Sequence, residues 1–200
     1  MRDEAVLIDD TDDADPDEAA ITLDLTEWRR PVDLVDDLIL RRCTAPTLDV
    51  GCGPGRMVLE LNRRGVPALG IDLAPEAVHH VRAHGGYALI RSVFSRLPGE
   101  GRWPNVLLLD GCIGIGGSPE LLLRRIRELL APHGTAYVEH HPDPDLLVRT
   151  TARLRSRRFA WALVGGRHLA AAANAVGLSI VETWAVQGRF FAALSPRGLS

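Results

Sequence analysis

Apolar positions fall into two rhythms that alternate along the chain. Between residues 23 and 43, Leu25, Trp28, Val32, Val35, Leu38 and Ile39 recur at three- to four-residue spacing. That spacing predicts one or two helices, broken at Pro31. Short apolar runs then take turns with helical patterns. Strands are expected at 48–50, 67–71, 87–91, 106–109 and 134–139, and the run at 106–109 is apolar throughout, as in a strand covered on both faces. Helices are expected at 56–64, stopped by Gly65, and from Pro75 to about His84, closed by Gly85 and Gly86. Another starts at Ser118 and Pro119, with Leu121, Leu122, Leu129 and Leu130 marking its core face.

Strands alternating with helices imply a doubly wound parallel sheet, which binds ligands at the carboxyl ends of its strands. The end of the chain departs from this rule. The runs 178–186 and 189–194 are separated only by Gln187 and Gly188, a connection too short for a crossover, so an antiparallel hairpin is expected there.

Residues 47–61 read TLDVGCGPGRMVLEL. A β-rich run turns through Gly51, Gly53 and Gly55 directly into a helical pattern. Glycine permits the tight turn and lets backbone approach a ligand, while the helix start offers unpaired N–H groups. A dinucleotide fingerprint needs its third glycine at position 56, where Arg56 stands. The spacing is instead D-x-G-x-G-x-G, with Asp49 two residues before the first glycine. This resembles motif I of the class I S-adenosylmethionine-dependent methyltransferases. The resemblance implies an α/β fold with a doubly wound, mostly parallel, seven-stranded Rossmann-like sheet closed by a C-terminal antiparallel hairpin. It also implies S-adenosyl-L-methionine as cofactor, held by Asp49, Gly51, Cys52, Gly53, Gly55, Asp72, Leu73, Ser92, Val93 and Asp110.

Asp72 ends the second strand, 21 residues after Gly51. Its two carboxylate oxygens suit the ribose hydroxyls, and the competing reading is an N-cap for the following helix. Ser92 stands where related enzymes often carry an Asp toward the adenine amino group; Val93 or Phe94 could pack on the adenine face or in the core. Residues 110–117, DGCIGIGG, follow the fourth strand, where the family places the segment between methionine and acceptor. Asp110 is read there as an acceptor for the methionine ammonium or as orienting the acceptor, against a plain strand-end cap. Cys112 is read as a packed thiol.

Methyl transfer from a sulfonium asks the protein mainly to position the acceptor and, where needed, to remove a proton. The Asn/Asp-Pro-Pro-Tyr/Phe run of many amino-group methylases is absent at residues 110–113. Glu139, His140 and His141 end the fifth strand and are the best proton acceptors. Neighbours on a strand point to opposite sides, so at most one of His140 and His141 faces the cleft as a catalytic base. No grouping has metal-ligand spacing, so no metal is expected.

Two hundred residues, 46% of them apolar, suit one domain with a full core. No run reaches the roughly 18 apolar residues of a membrane span. Three scattered cysteines fit reduced thiols, and the N-terminus is acidic rather than a secretory signal, so a cytoplasmic location is expected. The net charge of −3 is unevenly spread, with the segment 9–18 reading DDTDDADPDE. Residues 1–22 are therefore expected to be an acidic, disordered tail, and 23–200 one domain. Its cofactor half spans about 46–140 and its C-terminal part about 141–200. The Arg-rich stretch 149–158 is read first as a solvated or partly disordered segment, then as a site for an anionic small molecule, and last for RNA.

The function expected is methylation of a small-molecule acceptor, an anionic one among the candidates, with nucleic acid and membrane disfavoured and oligomeric state open. Two readings compete with it. One is a regulatory or interaction protein that binds S-adenosylmethionine without turnover; the other, less favoured, is an NAD-dependent enzyme, which Arg56 disfavours, or an RNA methyltransferase.

Overall fold

The computed structural model describes residues 21–22, 29–154 and 157–198. Most of the acidic segment, residues 1–20, lies outside these. In chain order the elements are β1 (Ile21–Thr22), α1 (Leu34–Leu40), β2 (Thr47–Val50), α2 (Arg56–Arg63), β3 (Ala68–Asp72), α3 (Pro75–Ala83), β4 (Tyr87–Ile90) and β5 (Trp103–Leu108). A 3-10 turn, Cys112–Gly114, precedes α4 (Pro119–Leu129) and β6 (Leu130–His140). The remainder is β7 (Leu147–Leu154), β8 (Arg157–Val164), α5 (Gly166–Ala175), β9 (Leu178–Val186) and β10 (Arg189–Pro196).

Seven strands form one sheet in the order β4-β3-β2-β5-β6-β10-β9. The pairs among β4, β3, β2, β5 and β6 are parallel, whereas β10 runs antiparallel to both β6 and β9. This is the expected doubly wound sheet with its closing hairpin. Chain order reverses between β2 and β5, which opens a crevice at their carboxyl ends.

Local chemistry explains where the helices begin. Asp33 caps α1 by accepting from the Asp36 N–H at 2.8 Å, and the Asp36 carboxylate returns a bond to the Asp33 N–H. Pro75 and Pro119 occupy the first turns of α3 and α4, and Ser118 caps the latter. Alternation along the strands then divides the core between two faces. Leu48, Val50, Val106 and Leu108 pack with α4 and α5. Leu107, Leu109, Tyr137 and Phe191 pack with α1, α2 and α3 on the other face. Asp49, between Leu48 and Val50, points to this second side.

Several features differ from the sequence reading: Leu121, expected on the core face of α4, is exposed, and Leu130 begins β6. Residues 149–158, expected as a solvated or partly disordered segment, belong mostly to the antiparallel hairpin β7–β8, with Arg149 opposite Ala162 and Thr151 opposite Ala160. Ala152 and Ala162 are buried while Arg149, Arg153 and Arg158 are exposed. Alanine is too weakly apolar to announce such a pattern, and the arginines dominate the composition. Strand β1 pairs in parallel with β7 at Ala152 and Arg153, so residues 21–22 join this second sheet rather than the tail. Helix α5 also gave no signal, because its buried stripe is Leu169, Ala172 and Ala173 and its cap is Gly165.

Candidate functional site

The glycine loop runs from the end of β2 into α2. Gly51, Gly53 and Gly55 all hold positive φ, at 70°, 52° and 84°. A Cβ on Gly51 would fall 2.6 Å from Cys112 Sγ, and one on Gly55 2.3 Å from a Val81 methyl. Both conformation and space therefore demand glycine. Asp72, at the end of β3, clamps the loop: one carboxylate oxygen accepts from the Gly53 N–H and the other from the Ala74 N–H, both at 2.8 Å. Ala74, not Asp72, is the N-cap of α3. Burial raises the Asp72 carboxyl above its ordinary range against these backbone bonds.

Asp49 is 4% exposed and has neither a hydrogen bond nor an ion pair with any described residue. Burial pushes its carboxyl up to about 7, with Arg56 opposing and Asp110, Asp72 and Asp36 adding to the rise. A buried carboxylate without a partner, beside a loop of close backbone, suits a cationic ligand group.

Around it lies an ionic network that the sequence did not announce. The Arg56 guanidinium, 9% exposed, donates to Asp36 at 3.0 and 3.2 Å and to Asp110 at 2.7 Å. Arg189 donates to Glu139 at 2.8 and 2.7 Å, to Asp36 at 3.1 Å and to Asp110 at 3.3 Å. Arg30 adds two more bonds to Asp36, at 2.6 and 3.1 Å. Asp36 is fully buried; burial alone would raise its carboxyl, but Arg56, Arg30 and Arg189 outweigh that and hold it well below the usual range. Arg56 and Arg189 are pushed up by the same carboxylates against the effect of burial. Asp110 holds a left-handed backbone at φ 52°, and its N–H donates to Glu139 at 2.8 Å. The network thus fixes the start of the glycine-rich segment against α1, α2 and β10. Asp36 did leave a trace in the sequence, as an acidic residue on the apolar stripe of Val35 and Ile39.

The other expected residues spread around this centre. Leu73 is exposed beside Asp72. Ser92 Oγ accepts from the Phe94 N–H, Val93 lies in the core, and the Phe94 ring stands against Gly116. For Val93, backbone is the part able to meet a ligand. Cys52 packs under β3, where a Cβ on Gly70 would fall 2.5 Å from its sulfur. Cys43, Cys52 and Cys112 are buried free thiols, and burial pushes the pKa of all three up, that of Cys43 to about 12.

His140 and His141 differ in their bonding. His140 Nδ1 lies 3.0 Å from the His141 carbonyl, which fixes the proton on Nδ1 and leaves the Nε2 lone pair. The ring borders a groove of about 560 Å³ beside α5, with Phe190 and Leu169 among its walls. His141 Nδ1 accepts from the Asp143 N–H, so its ring proton sits on Nε2. Glu139, fully engaged by Arg189 and the Asp110 N–H, is an anchor here. Among the described residues no group of three His, Cys, Asp or Glu is placed to hold a metal, and no helix is long and apolar enough to cross a membrane.

Comparison with known proteins agrees with this fold. A methyltransferase domain family model matches residues 25–183. No curated protein matches the chain in sequence. Among solved structures, a SAM-dependent methyltransferase from Bacteroides fragilis in complex with S-adenosyl-L-homocysteine aligns with a TM-score of 0.72 at 21% identity, over 87% of this chain and 82% of that one. A TehB-like SAM-dependent methyltransferase from Corynebacterium glutamicum gives 0.64 at 20%, covering 86% and 92%. The 1,6-didemethyltoxoflavin-N1-methyltransferase from Burkholderia thailandensis, with bound 1,6-didemethyltoxoflavin and S-adenosylhomocysteine, gives 0.62 at 22%, covering 80% and 75%. With most of its length matched by the family model and its sheet carrying the same fold, the chain belongs to the methyltransferase domain family.

Proposed function

We propose that this methyltransferase moves a methyl group from S-adenosyl-L-methionine to a small-molecule acceptor bound at the carboxyl ends of β5 and β6. The observation that carries the reading is Asp49: a buried carboxylate with no partner among the described residues, at the mouth of a loop where added Cβ atoms would clash. The residues fit the donor. Asp49 takes its ammonium, the glycine loop passes its methionine part, and each Asp72 oxygen has a further lone pair for a ribose hydroxyl. Leu73 and the Ser92–Val93 backbone flank the adenine. When bound, the cofactor supplies a methyl group on a sulfonium, a leaving group that needs no activation by the protein.

The chain's own residues then orient and deprotonate. Asp110, held by Arg56 and Arg189, presents a fixed carboxylate to the methionine end and the acceptor. Of the two histidines, His140 has the free lone pair for a proton leaving the acceptor. Arg149, Arg153 and Arg158 have no carboxylate partner among the described residues, which supports an acceptor bearing an anionic group. The test is incubation with S-adenosylmethionine and a small-molecule metabolite extract, reading release of S-adenosylhomocysteine. Release that requires the extract is expected. Binding of the cofactor without any release points to a regulatory protein instead.

A further inference from the structure

The hairpin β7–β8 is joined to the glycine-rich segment by close contact rather than by sequence. Strand β8 is the edge of its sheet, and that edge runs along residues 111–117. A Cβ on Gly114 would fall 2.1 Å from the Ala162 carbonyl oxygen and 2.9 Å from Trp161 Nε1. On Gly117 it would meet Ala160 at 3.1 Å, and on Gly111 it would meet the Trp161 ring at 3.9 Å. The glycines of this segment therefore make room for one strand and one indole. Gly111 follows Asp110 directly, so the indole packs one residue along the chain from the aspartate that Arg56 and Arg189 fix.

Trp161 is only half-buried, and its N–H has no acceptor among the described residues. Phe159, two residues earlier on the same face of β8, is also half-buried. Phe94 rises from the other side, 43% exposed, with its ring edge 2.8 Å from where a Gly116 Cβ would be. Ile115 lies between, its methyl 3.2 Å from the Cβ position of Gly51. Trp161 and Phe94 thus both flank the glycine-rich segment, and the indole N–H stays open to solvent, where a ligand can take it.

We infer that Trp161 is a wall of the acceptor pocket and selects a planar aromatic acceptor, with an in-plane oxygen or nitrogen that takes the indole N–H. Stacking on the indole orients the ring, and the hydrogen bond fixes which edge turns toward the methyl donor. This rests on the methyltransferase reading above and names the acceptor class within it. Trp161 positions the acceptor and leaves the donor site untouched.

The experiment uses methyl-labelled S-adenosylmethionine with two acceptor panels. One holds hydroxylated and aminated monocyclic and bicyclic aromatics and heteroaromatics; the other holds aliphatic amines, alcohols and carboxylates. Label is expected in the aromatic panel alone. Trp161→Leu should lower kcat/KM for the labelled acceptor at least tenfold, mostly through KM, with S-adenosylhomocysteine affinity changed less than twofold. Trp161→Phe, which keeps a stacking face and loses the N–H, should fall between. Label only in the aliphatic panel overturns the inference, as does a Trp161→Leu enzyme within twofold of wild type on an aromatic acceptor. Label in neither panel, with S-adenosylhomocysteine still bound, also overturns the aromatic class but leaves the donor reading standing. Failure to bind S-adenosylmethionine or S-adenosylhomocysteine sinks both.

Discussion

Replacing Asp49 by asparagine should stabilise the ligand-free protein while destroying its donor site. Asp49 is buried without a bond to any described residue, and its carboxyl is raised from 3.8 to about 7. At about 1.36 kcal/mol per pH unit, the ionised group costs the fold about 4 kcal/mol above pH 7. The direction follows from proton binding. Between about pH 4 and 7 the folded state holds this proton more tightly than the unfolded chain, so stability falls as pH rises through that window and stays low above it. Asparagine removes the charge but keeps an unpartnered polar group, so the net gain should be about 3 kcal/mol at pH 8 and close to nothing at pH 4. For a chain of this size that is roughly 6–12 °C in Tm. Differential scanning calorimetry of wild type and Asp49→Asn at pH 5, 6, 7 and 8 reads the difference directly, and subtracting one from the other removes the histidines. Donor affinity should move the opposite way. Wild-type affinity for S-adenosylmethionine should rise toward pH 8 as Asp49 ionises, and the Asn variant should bind at least tenfold more weakly with no such rise. A variant that is no more stable at pH 8 than at pH 5 relative to wild type would refute the argument.

Other perturbations probe separate parts of the site. Asp36→Ala removes the fully buried carboxylate that three arginine guanidiniums share, leaving each with only its other carboxylate partners, and should cost about 3 kcal/mol in urea unfolding; a loss below about 1 kcal/mol would contradict the hub assigned to it. Asp72→Ala removes the acceptor of the Gly53 N–H as well as the ribose contact, and should weaken S-adenosylhomocysteine by about 1–3 kcal/mol in calorimetry. Unaltered affinity would exclude the ribose role. Gly114→Ala forces the β8 carbonyl away, and hydrogen exchange over residues 147–164 should speed up while the glycine loop stays protected. His140→Ala should lower kcat more than donor affinity, and His141→Ala should do neither; equal effects of the two would contradict the assignment from ring bonding.

Strong periodicity carried most of the fold from the sequence. The parallel strands were legible because apolar runs bounded by Gly and Pro leave few alternatives, and the loop between β9 and β10 is too short for anything but a hairpin. The strand of Arg149 and Arg153 was not legible, because its buried position is Ala152 and its exposed arginines set the composition. Helix α5 was hidden in the same way by Ala172 and Ala173. At the site, Asp49, the three loop glycines and Asp72 were visible through spacing along one stretch of chain. Arg30, Asp36, Arg56 and Arg189 meet from four separate elements or loops, and only the folded sheet puts them in contact. Arg56 shows the difference best. In the sequence it marked a missing third glycine; in the structure it is the ion-pair partner that anchors Asp110 to α1.

Titration calorimetry of the wild-type chain with S-adenosyl-L-methionine, S-adenosyl-L-homocysteine and NAD tests the central claim most directly. One-to-one binding of the first two and none of NAD is expected from Asp49, the glycine loop and the occupied position at Arg56. Binding of NAD alone, or of none of the three, would contradict it.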